Sequence, residues 1–373
     1  MNFDLNEEQV LLKETAQRLL ADRYSFEARR RVMREPLGWS REIWALLAEQ
    51  GFLAAPFAEA QGGLGSGPIE GLVLAEAFGR CLLAEPYLAT VIMAGTALSL
   101  CEDAELHSPL ISQIVAGDLT ASFADDEPGS ASGAGASRTV ARPEGRVWAL
   151  TGTKADVLHG ESADWLVVTA RIEGELGVFL VDADAPGLSR RGYGVFDGQR
   201  AAEVTLDRVL TADMLAIGQP AEDLVERVHQ QATAYMASEA VGLMDMLLEA
   251  SVEHLKARKQ FGQTLSNFQA LRHRCAEMLV ALEQARSMAI YAALMLDEPD
   301  ATQRRKAFAA VKSVIGSSGV QVGQVAVQLH GGLGVTEEHR IGWGLRRLMM
   351  IELMLGDSDR WSGELARLGG FVA

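Results

Sequence analysis

VEHLKARKQFGQTLSNFQALRHRCAEM, residues Val252 to Met278, is the stretch that decides how the rest of the chain is read. Just upstream, Leu243, Met246, Leu247 and Ala250 recur at the three-and-four spacing of one helical face, so a helix is expected to run to Arg258. Gly262 supplies a break, Ser266 or Asn267 can cap the next helix, and Phe268, Leu271, Cys275 and Met278 give that helix its own apolar face. The predicted product is a helical hairpin. Its tip, Arg258-Lys259-Gln260-Phe261-Gly262, sets a guanidinium, which holds phosphate in a bidentate fork, beside an aromatic ring able to lie on a planar ligand. A solvated basic turn with a core Phe is the plainer alternative.

Downstream and upstream of the hairpin the pattern stays helical. Segments are predicted at 222–257, 266–296, 301–328 and 337–370, broken at Gly262, Asp297–Asp300 and Gly331-Gly332, which reads as a four-helix bundle. Between Leu119 and Val209 the period changes to short alternating runs, TASFA, RVWALTG, WLVVTAR, GVFLVDA and AAEVTLDRV, punctuated by Glu144-Gly145, Gly174 and Asp197-Gly198. These predict a small antiparallel β module. Gly129 to Ser137, rich in Gly, Ala and Ser, reads as a mobile loop inside it. The first part of the chain is helical, with Asn6 capping a helix that carries Val10, Leu11, Leu12, Ala16, Leu19 and Leu20, and with a Pro/Gly-rich loop from Pro56 to Pro68. The fold class is thus α+β multidomain: an N-terminal α-helical domain (1–116), a middle antiparallel β domain (117–220) and a C-terminal four-helix bundle (221–373).

Composition agrees with an ordinary globular chain. At 373 residues and 48% hydrophobic content there is ample core. A net charge of −16 disfavours nucleic acid and anionic membrane surfaces as partners. Cys81, Cys101 and Cys275 are scattered and lack CxxC spacing, which argues against a disulfide framework and against a metal site. The N-terminal stretch carries acidic residues where a signal peptide has lysines, and no apolar run reaches membrane-spanning length. The cytoplasm is the expected location.

Taken together, RKQFG followed by FQ, the opening FDLNEEQ and the later QLHGGLG resemble the acyl-CoA dehydrogenases, flavoenzymes of β-oxidation and lipid metabolism, over the whole chain. Within that family the likeness is to small subunits of pimeloyl-CoA dehydrogenases and, more loosely, to paired subunits of steroid side-chain degradation. The resemblance implies FAD as cofactor, an acyl-CoA thioester as substrate, an electron-transfer flavoprotein as electron acceptor and a dimer-of-dimers tetramer. It implies that Arg258 and Phe261 reach the FAD of a neighbouring subunit, and that Gln328, Gly331 and Gly332 form the turn that meets its pyrophosphate and adenosine. Glycine there permits close approach that a Cβ would obstruct.

Removing hydrogens from Cα and Cβ of a thioester needs a carboxylate base and a flavin. The family's strand F-A-L-T-E-P corresponds here to Phe123-Ala124-Asp125-Asp126-Glu127-Pro128, so Asp126 stands where a hydroxyl would bond the flavin. In GTKADVLHG, Asp156 and Leu158 stand where the family has a stacking Trp and a second Thr. The family base position near the C-terminus is occupied by Leu355, and the alternative one on the long helix by Ala232. Glu352 and Asp357 flank Leu355 and are the candidates for a relocated base, with Glu127 and Glu239 behind them; His159 and His330 are expected in structural roles. Three functions follow. The chain is one subunit of a heteromeric FAD-linked acyl-CoA dehydrogenase, completing its partner's flavin site while its own base position is degenerate. Alternatively it is a self-sufficient homotetramer with a relocated base, or a non-catalytic acyl-CoA-binding or scaffold subunit.

Overall fold

The computed structural model describes residues 5–129 and 137–370, so most of the loop expected at Gly129 to Ser137 lies outside the described residues. Six α-helices come first among them: α1 (Glu7–Arg23), α2 (Phe26–Val32), α3 (Arg41–Glu49), α4 (Pro68–Cys81), α5 (Gly95–Leu100) and α6 (Ala104–Ala116). Eight strands follow: β1 (Ala121–Ala124), β2 (Val140–Glu144), β3 (Val147–Leu158), β4 (Trp165–Ile172), β5 (Glu175–Asp182), β6 (Leu188–Gly194), β7 (Arg200–Thr211) and β8 (Met214–Ile217). The chain then runs through α7 (Gln219–Ala257), the short strands β9 (Lys259–Gln260) and β10 (Gln263–Thr264), and α8 (Gln269–Met295), α9 (Ala301–His330), α10 (Arg340–Leu353) and α11 (Ser358–Arg367).

These elements divide into two compact units. One is helical and gathers Met1–Arg29, Pro68–Leu83 and Thr233–Ala373. Asn6 closes a capping box with Gln9 at the start of α1, as Asn at this position allows. The first helix of the sequence analysis is therefore real, yet of its apolar stripe only Ala16 and Leu20 are buried, and Leu11 remains 64% exposed. Helices α4 and α7 cross closely enough that a Cβ on Gly79 would lie 2.1 Å from the carbonyl oxygen of Glu239, and one on Gly242 2.0 Å from that of Glu76. Only glycine fits at either crossing point, and the small residues between Ala237 and Leu248 are consumed by packing. Two buried carboxylates tie the layers. Glu76 accepts from Lys13 and Arg286 at 3.3 Å each, and buried Glu239 takes both arms of the Arg347 guanidinium at 2.7 Å.

The segment read as a single last helix at 337–370 is two helices. Met354 leaves helical geometry at ψ 136, Leu355 and Gly356 turn left-handed at φ 58 and 96, and Asp357 caps α11. The expected Ser266 or Asn267 cap on α8 is also not used: a short 3₁₀ turn covers Leu265–Asn267, and Phe268 precedes the helix without a side-chain cap.

The other unit, Arg30–Gly67 and Ala84–Ala232, contains the sheet. Its strand order is β6-β7-β3-β2-β4-β5-β8 with β1 beside β4. Pairing is antiparallel except that β1 and β2 both run parallel to β4, so the sheet is mixed. Alternation in sequence encodes which face is buried and says nothing about a neighbour's direction, which is why it suggested antiparallel pairing throughout. Leu150, Val168, Phe179, Val204 and Leu206, each 0–1% exposed, form the centre of the sheet's core. Strands β2, β6 and β8, which the sequence reading passed over, have polar or mixed faces in the first two cases and only four residues in the third.

Candidate functional site

The hairpin expected at 258–262 is formed. Helix α7 ends at Ala257, the amide of Arg258 still donates to the carbonyl of His254 at 2.9 Å, and β9 pairs antiparallel with β10. The two turn residues, Phe261 at φ 52 and Gly262 at φ 79, are both left-handed, the pairing that a two-residue hairpin favours. Gly262 adopts it freely, but an aromatic residue there is strained by about 1–2 kcal/mol. The Phe261 side chain is 88% exposed and stands edge-on to Phe268, at 6.1 Å between centroids. Phe261 thus presents a strained, exposed ring beside the exposed Arg258.

The glycine turn lies next to it. Gln328, Gly331 and Gly332 are exposed at the end of α9, where Gly331 turns at φ 60. A Cβ added to either glycine would meet no protein atom within 4 Å, so the backbone faces open space. The rings of His254 and His330 stand 4.5 Å apart, which joins the end of α7 to the end of α9. Arg258 lies one helical turn beyond His254, and Gly331 directly follows His330, so hairpin and glycine turn form one surface of the helical unit. An exposed guanidinium, an exposed ring and unobstructed backbone are donors and contacts that fit a dinucleotide diphosphate.

The Leu355 corner is differently built. The Leu355 carbonyl accepts from Trp361 Nε1 at 2.8 Å. Glu352 Oε1 accepts from both the amide and the hydroxyl of Ser358, at 3.0 and 2.6 Å, while Oε2 is buried without a partner. Asp357 accepts from the Arg360 amide at 2.8 Å as the cap of α11. Buried Lys312 donates to the carbonyls of Ile351 and Glu352, closing α10, and burial pushes its ammonium down to about 8. Ala232, the other base position, is fully buried and Glu239 is locked by Arg347.

In the sheet unit a charge network surrounds Lys154, which is 0% exposed. Its ammonium contacts Glu127 at 2.9 Å, Thr169 Oγ1 at 3.0 Å and the Asp125 carbonyl at 3.1 Å. Burial pushes Lys154 down and Glu127 and Asp125 oppose it. Burial would raise Glu127, but Lys154 together with the Thr139 amide and hydroxyl holds it at about 2. Asp125 accepts from Thr169 at 2.8 Å and faces His229 Nε2 at 3.2 Å. Asp156 sits at φ 52 in a bulge of β3 and accepts from the Tyr193 hydroxyl at 2.7 Å; Leu158 is half-buried. Asp126 lies beside this strand, its carbonyl accepting from the Ala155 amide at 2.9 Å. His159 is buried at φ 53 with its amide donating to the Arg200 carbonyl, and His330 is buried at the end of α9 with Nδ1 2.8 Å from the Ala326 carbonyl.

A chain of helices, mixed sheet and helices that offers a dinucleotide an exposed guanidinium and an open glycine turn has the architecture of a flavin-dependent dehydrogenase. Comparison with known families makes this specific: residues 6–117, 121–209 and 225–367 match the acyl-CoA dehydrogenase N-terminal, middle and C-terminal domains. The chain belongs to the acyl-CoA dehydrogenase family, whose members are FAD-dependent oxidoreductases. It is 26% identical to acyl-CoA dehydrogenase FadE27 of Mycobacterium tuberculosis, over 90% of this chain and 89% of that one. A solved variant of the Tcur3481–Tcur3483 steroid ACAD is 30% identical with a TM-score of 0.87, covering 97% of each chain. The ChsE4–ChsE5 complex of Mycobacterium tuberculosis, 24% identical, shares the fold over 100% of both chains with a TM-score of 0.89. Among the described residues no helix is long and apolar enough to cross a membrane, and no cluster of three or more His, Cys, Asp or Glu is placed to hold a metal.

Proposed function

We propose that this chain is one subunit of a heteromeric acyl-CoA dehydrogenase, a cytoplasmic dimer of dimers in which it completes a partner's FAD site and has no catalytic base of its own. In this reading Arg258 neutralises the pyrophosphate, Phe261 lies on the dinucleotide, and Gln328 with the backbone of Gly331 and Gly332 closes around the adenosine end. The chemistry supplied by bound FAD is acceptance of a hydride from Cβ of the acyl thioester, passed on to an electron-transfer flavoprotein. The partner supplies the carboxylate that takes the α-proton. The division into domains at 1–116, 117–220 and 221–373 belongs to the same reading. A bulky, steroid-derived acyl group is the substrate class we infer, from the 30% identity to a steroid dehydrogenase pair.

One observation carries it. The dinucleotide-facing loops are exposed and unspent, whereas the carboxylates around Leu355 are engaged in capping α11. The test is flavin absorbance and acyl-CoA dehydrogenation of the chain purified alone and after co-expression with a candidate partner carrying the base. Alone it should be colourless or substoichiometric in FAD; together the proteins should be yellow and active. One FAD per chain with turnover in the lone protein overturns the proposal. The partnerless buried Oε2 of Glu352 favours the second reading, a self-sufficient enzyme with a relocated base, and in that case Glu352→Gln would abolish the lone chain's turnover. A lone chain that binds acyl-CoA and adds nothing to any partner's flavin content would instead be a scaffold.

A further inference from the structure

Three imidazoles stack beneath the hairpin, and the function proposed above leaves them without a role. His330 lies between His254, at 4.5 Å between ring centroids, and His339, at 5.2 Å. The column therefore runs from α7 across the end of α9 to the start of α10. The charged groups acting on it are Arg258 on His254 and Arg340 on His330 and His339; of the carboxylates nearby in sequence, Glu253 precedes His254, Glu338 precedes His339, and Glu337 lies 3.9 Å from Arg346. The column is a stack of protonatable rings inside a cluster of cations, directly under exposed Arg258 and the open Gly331-Gly332 backbone.

Opposing influences act on the His330 ring. It is buried, and two backbone carbonyls accept from its ring: Ala326, at 2.8 Å from Nδ1, and Ala250. A neutral imidazole has one N–H to give and an imidazolium has two, so these acceptors together favour the charged form. Burial, first, and then Arg340 oppose it, and His330 is held below the ordinary imidazole range. His254 and His339 are pushed down as well, by burial and then by the neighbouring rings and arginines. Such a column is biased toward its neutral form, and an anion placed beside it favours uptake of a proton.

We propose that the His254–His330–His339 column is a proton-coupled part of the dinucleotide-binding surface, gaining a proton when a diphosphate settles on Arg258 and the Gly331-Gly332 turn. The proposal rests on the reading that these loops meet a flavin dinucleotide. The sign follows from linkage: a ligand that raises the column's proton affinity binds with proton uptake, so its own affinity rises as pH falls through the window between the bound and free ionisations. One proton taken up corresponds to at most about a tenfold gain in affinity per unit fall in pH.

The experiment is calorimetric titration of FAD into the assembled, flavin-stripped oligomer, between about pH 6 and pH 8, in two buffers of different ionisation enthalpy. Uptake approaching one proton per FAD is expected, with affinity tightening toward the acid end. ADP-ribose, which carries the same pyrophosphate diester without the flavin ring and has no phosphate ionisation in this range, should take up the same proton, and adenosine none. Replacing His254→Gln and His339→Gln together should reduce the uptake and flatten the pH slope, with affinities converging on those of the unaltered protein at the alkaline end. FAD binding that depends on Arg258 but proceeds without proton uptake overturns the proposal, as does an unchanged slope in the double variant. If Arg258→Ala binds FAD as tightly as the unaltered protein, the dinucleotide reading fails first and the column's role fails with it. Measurements with FAD and ADP-ribose on the unaltered protein decide the matter even if the histidine variants fold poorly.

Discussion

Two corners of the helical unit use the same backbone device. At Phe261-Gly262 and again at Leu355-Gly356, a large residue stands left-handed before a left-handed glycine, at φ 52 and 79 in the first pair and 58 and 96 in the second. Around Phe261 the chain leaves everything open: the ring is 88% exposed, Arg258 is exposed, and the neighbouring glycines face space. Around Leu355 the polar groups are hydrogen-bonded within the chain, with Trp361 on its carbonyl, Glu352 and Asp357 starting α11, and Lys312 closing α10. Strain held at an exposed tip has its compensation outside the chain, in a ligand or partner. Strain held at a hydrogen-bonded corner is compensated within the fold.

The largest expected effect tests how firmly the inner corner is anchored. Glu239 and Arg347 are both buried and bidentate, and Arg347 lies on the helix that leads to Leu355. Arg347→Ala leaves a buried carboxylate uncompensated and should cost about 3–5 kcal/mol in denaturant unfolding, whereas replacing both partners by apolar residues of similar volume should cost far less. A loss under about 1 kcal/mol from the single change would mean that the corner does not depend on this pair.

At the outer corner the effect should move from folding to binding. Arg258→Ala should weaken FAD retention in the assembled protein by about 1.5–3 kcal/mol for each charge-assisted hydrogen bond lost, roughly tenfold to a hundredfold. Unfolding of the chain itself should change by no more than about 0.5 kcal/mol, because the side chain is exposed. Unchanged flavin stoichiometry would return Arg258 to a solvated basic turn and erase the functional half of the contrast.

The outer corner was legible in sequence because each feature is local: a periodic helix, a glycine, an arginine and an aromatic within five residues, and a second glycine pair after another helix. The inner corner was not. MLGD continues an apolar helical pattern, so the break at Met354–Asp357 shows only once Leu355 is seen to adopt the left-handed region that a leucine seldom takes. The β-strands with buried faces were readable and the polar β2 and β6 were not, since a solvated strand carries little alternation. Glu127 pairs with Lys154 across 27 positions, and the imidazoles at 254, 330 and 339 meet only through tertiary packing, so no spacing rule reaches either.

Asp357 separates a capping carboxylate from a catalytic one. It accepts from the Arg360 amide at 2.8 Å, and Asp357→Ala should cost about 1 kcal/mol of thermal stability, the usual loss for a removed N-cap. Flavin content and turnover of the assembled protein should be untouched. A fall in turnover larger than the loss of folded protein would place this carboxylate in the chemistry.

The smallest effects differ in sign between the two corners, which makes them the finest test of the comparison. A left-handed conformation costs a residue with a Cβ about 1–2 kcal/mol, and glycine relieves that cost while adding about 0.5–1 kcal/mol of unfolded-state entropy. At Phe261, 88% exposed, almost no burial is lost, so Phe261→Gly should stabilise the chain by about 0.5 kcal/mol while lowering its contribution to flavin binding. Leu355 is half-buried, so Leu355→Gly gives up some apolar contact, about 25 cal/mol for each Å² exposed, and should be neutral or slightly destabilising with no effect on flavin. Melting temperatures of the two variants, read beside their flavin content, should therefore move in opposite directions or leave Leu355→Gly unmoved. If Phe261→Gly instead destabilises the protein and leaves flavin content intact, the ring is held by its edge contact with Phe268 as part of the hairpin's own core, and the exposed tip has no more claim to a ligand than the corner at Leu355.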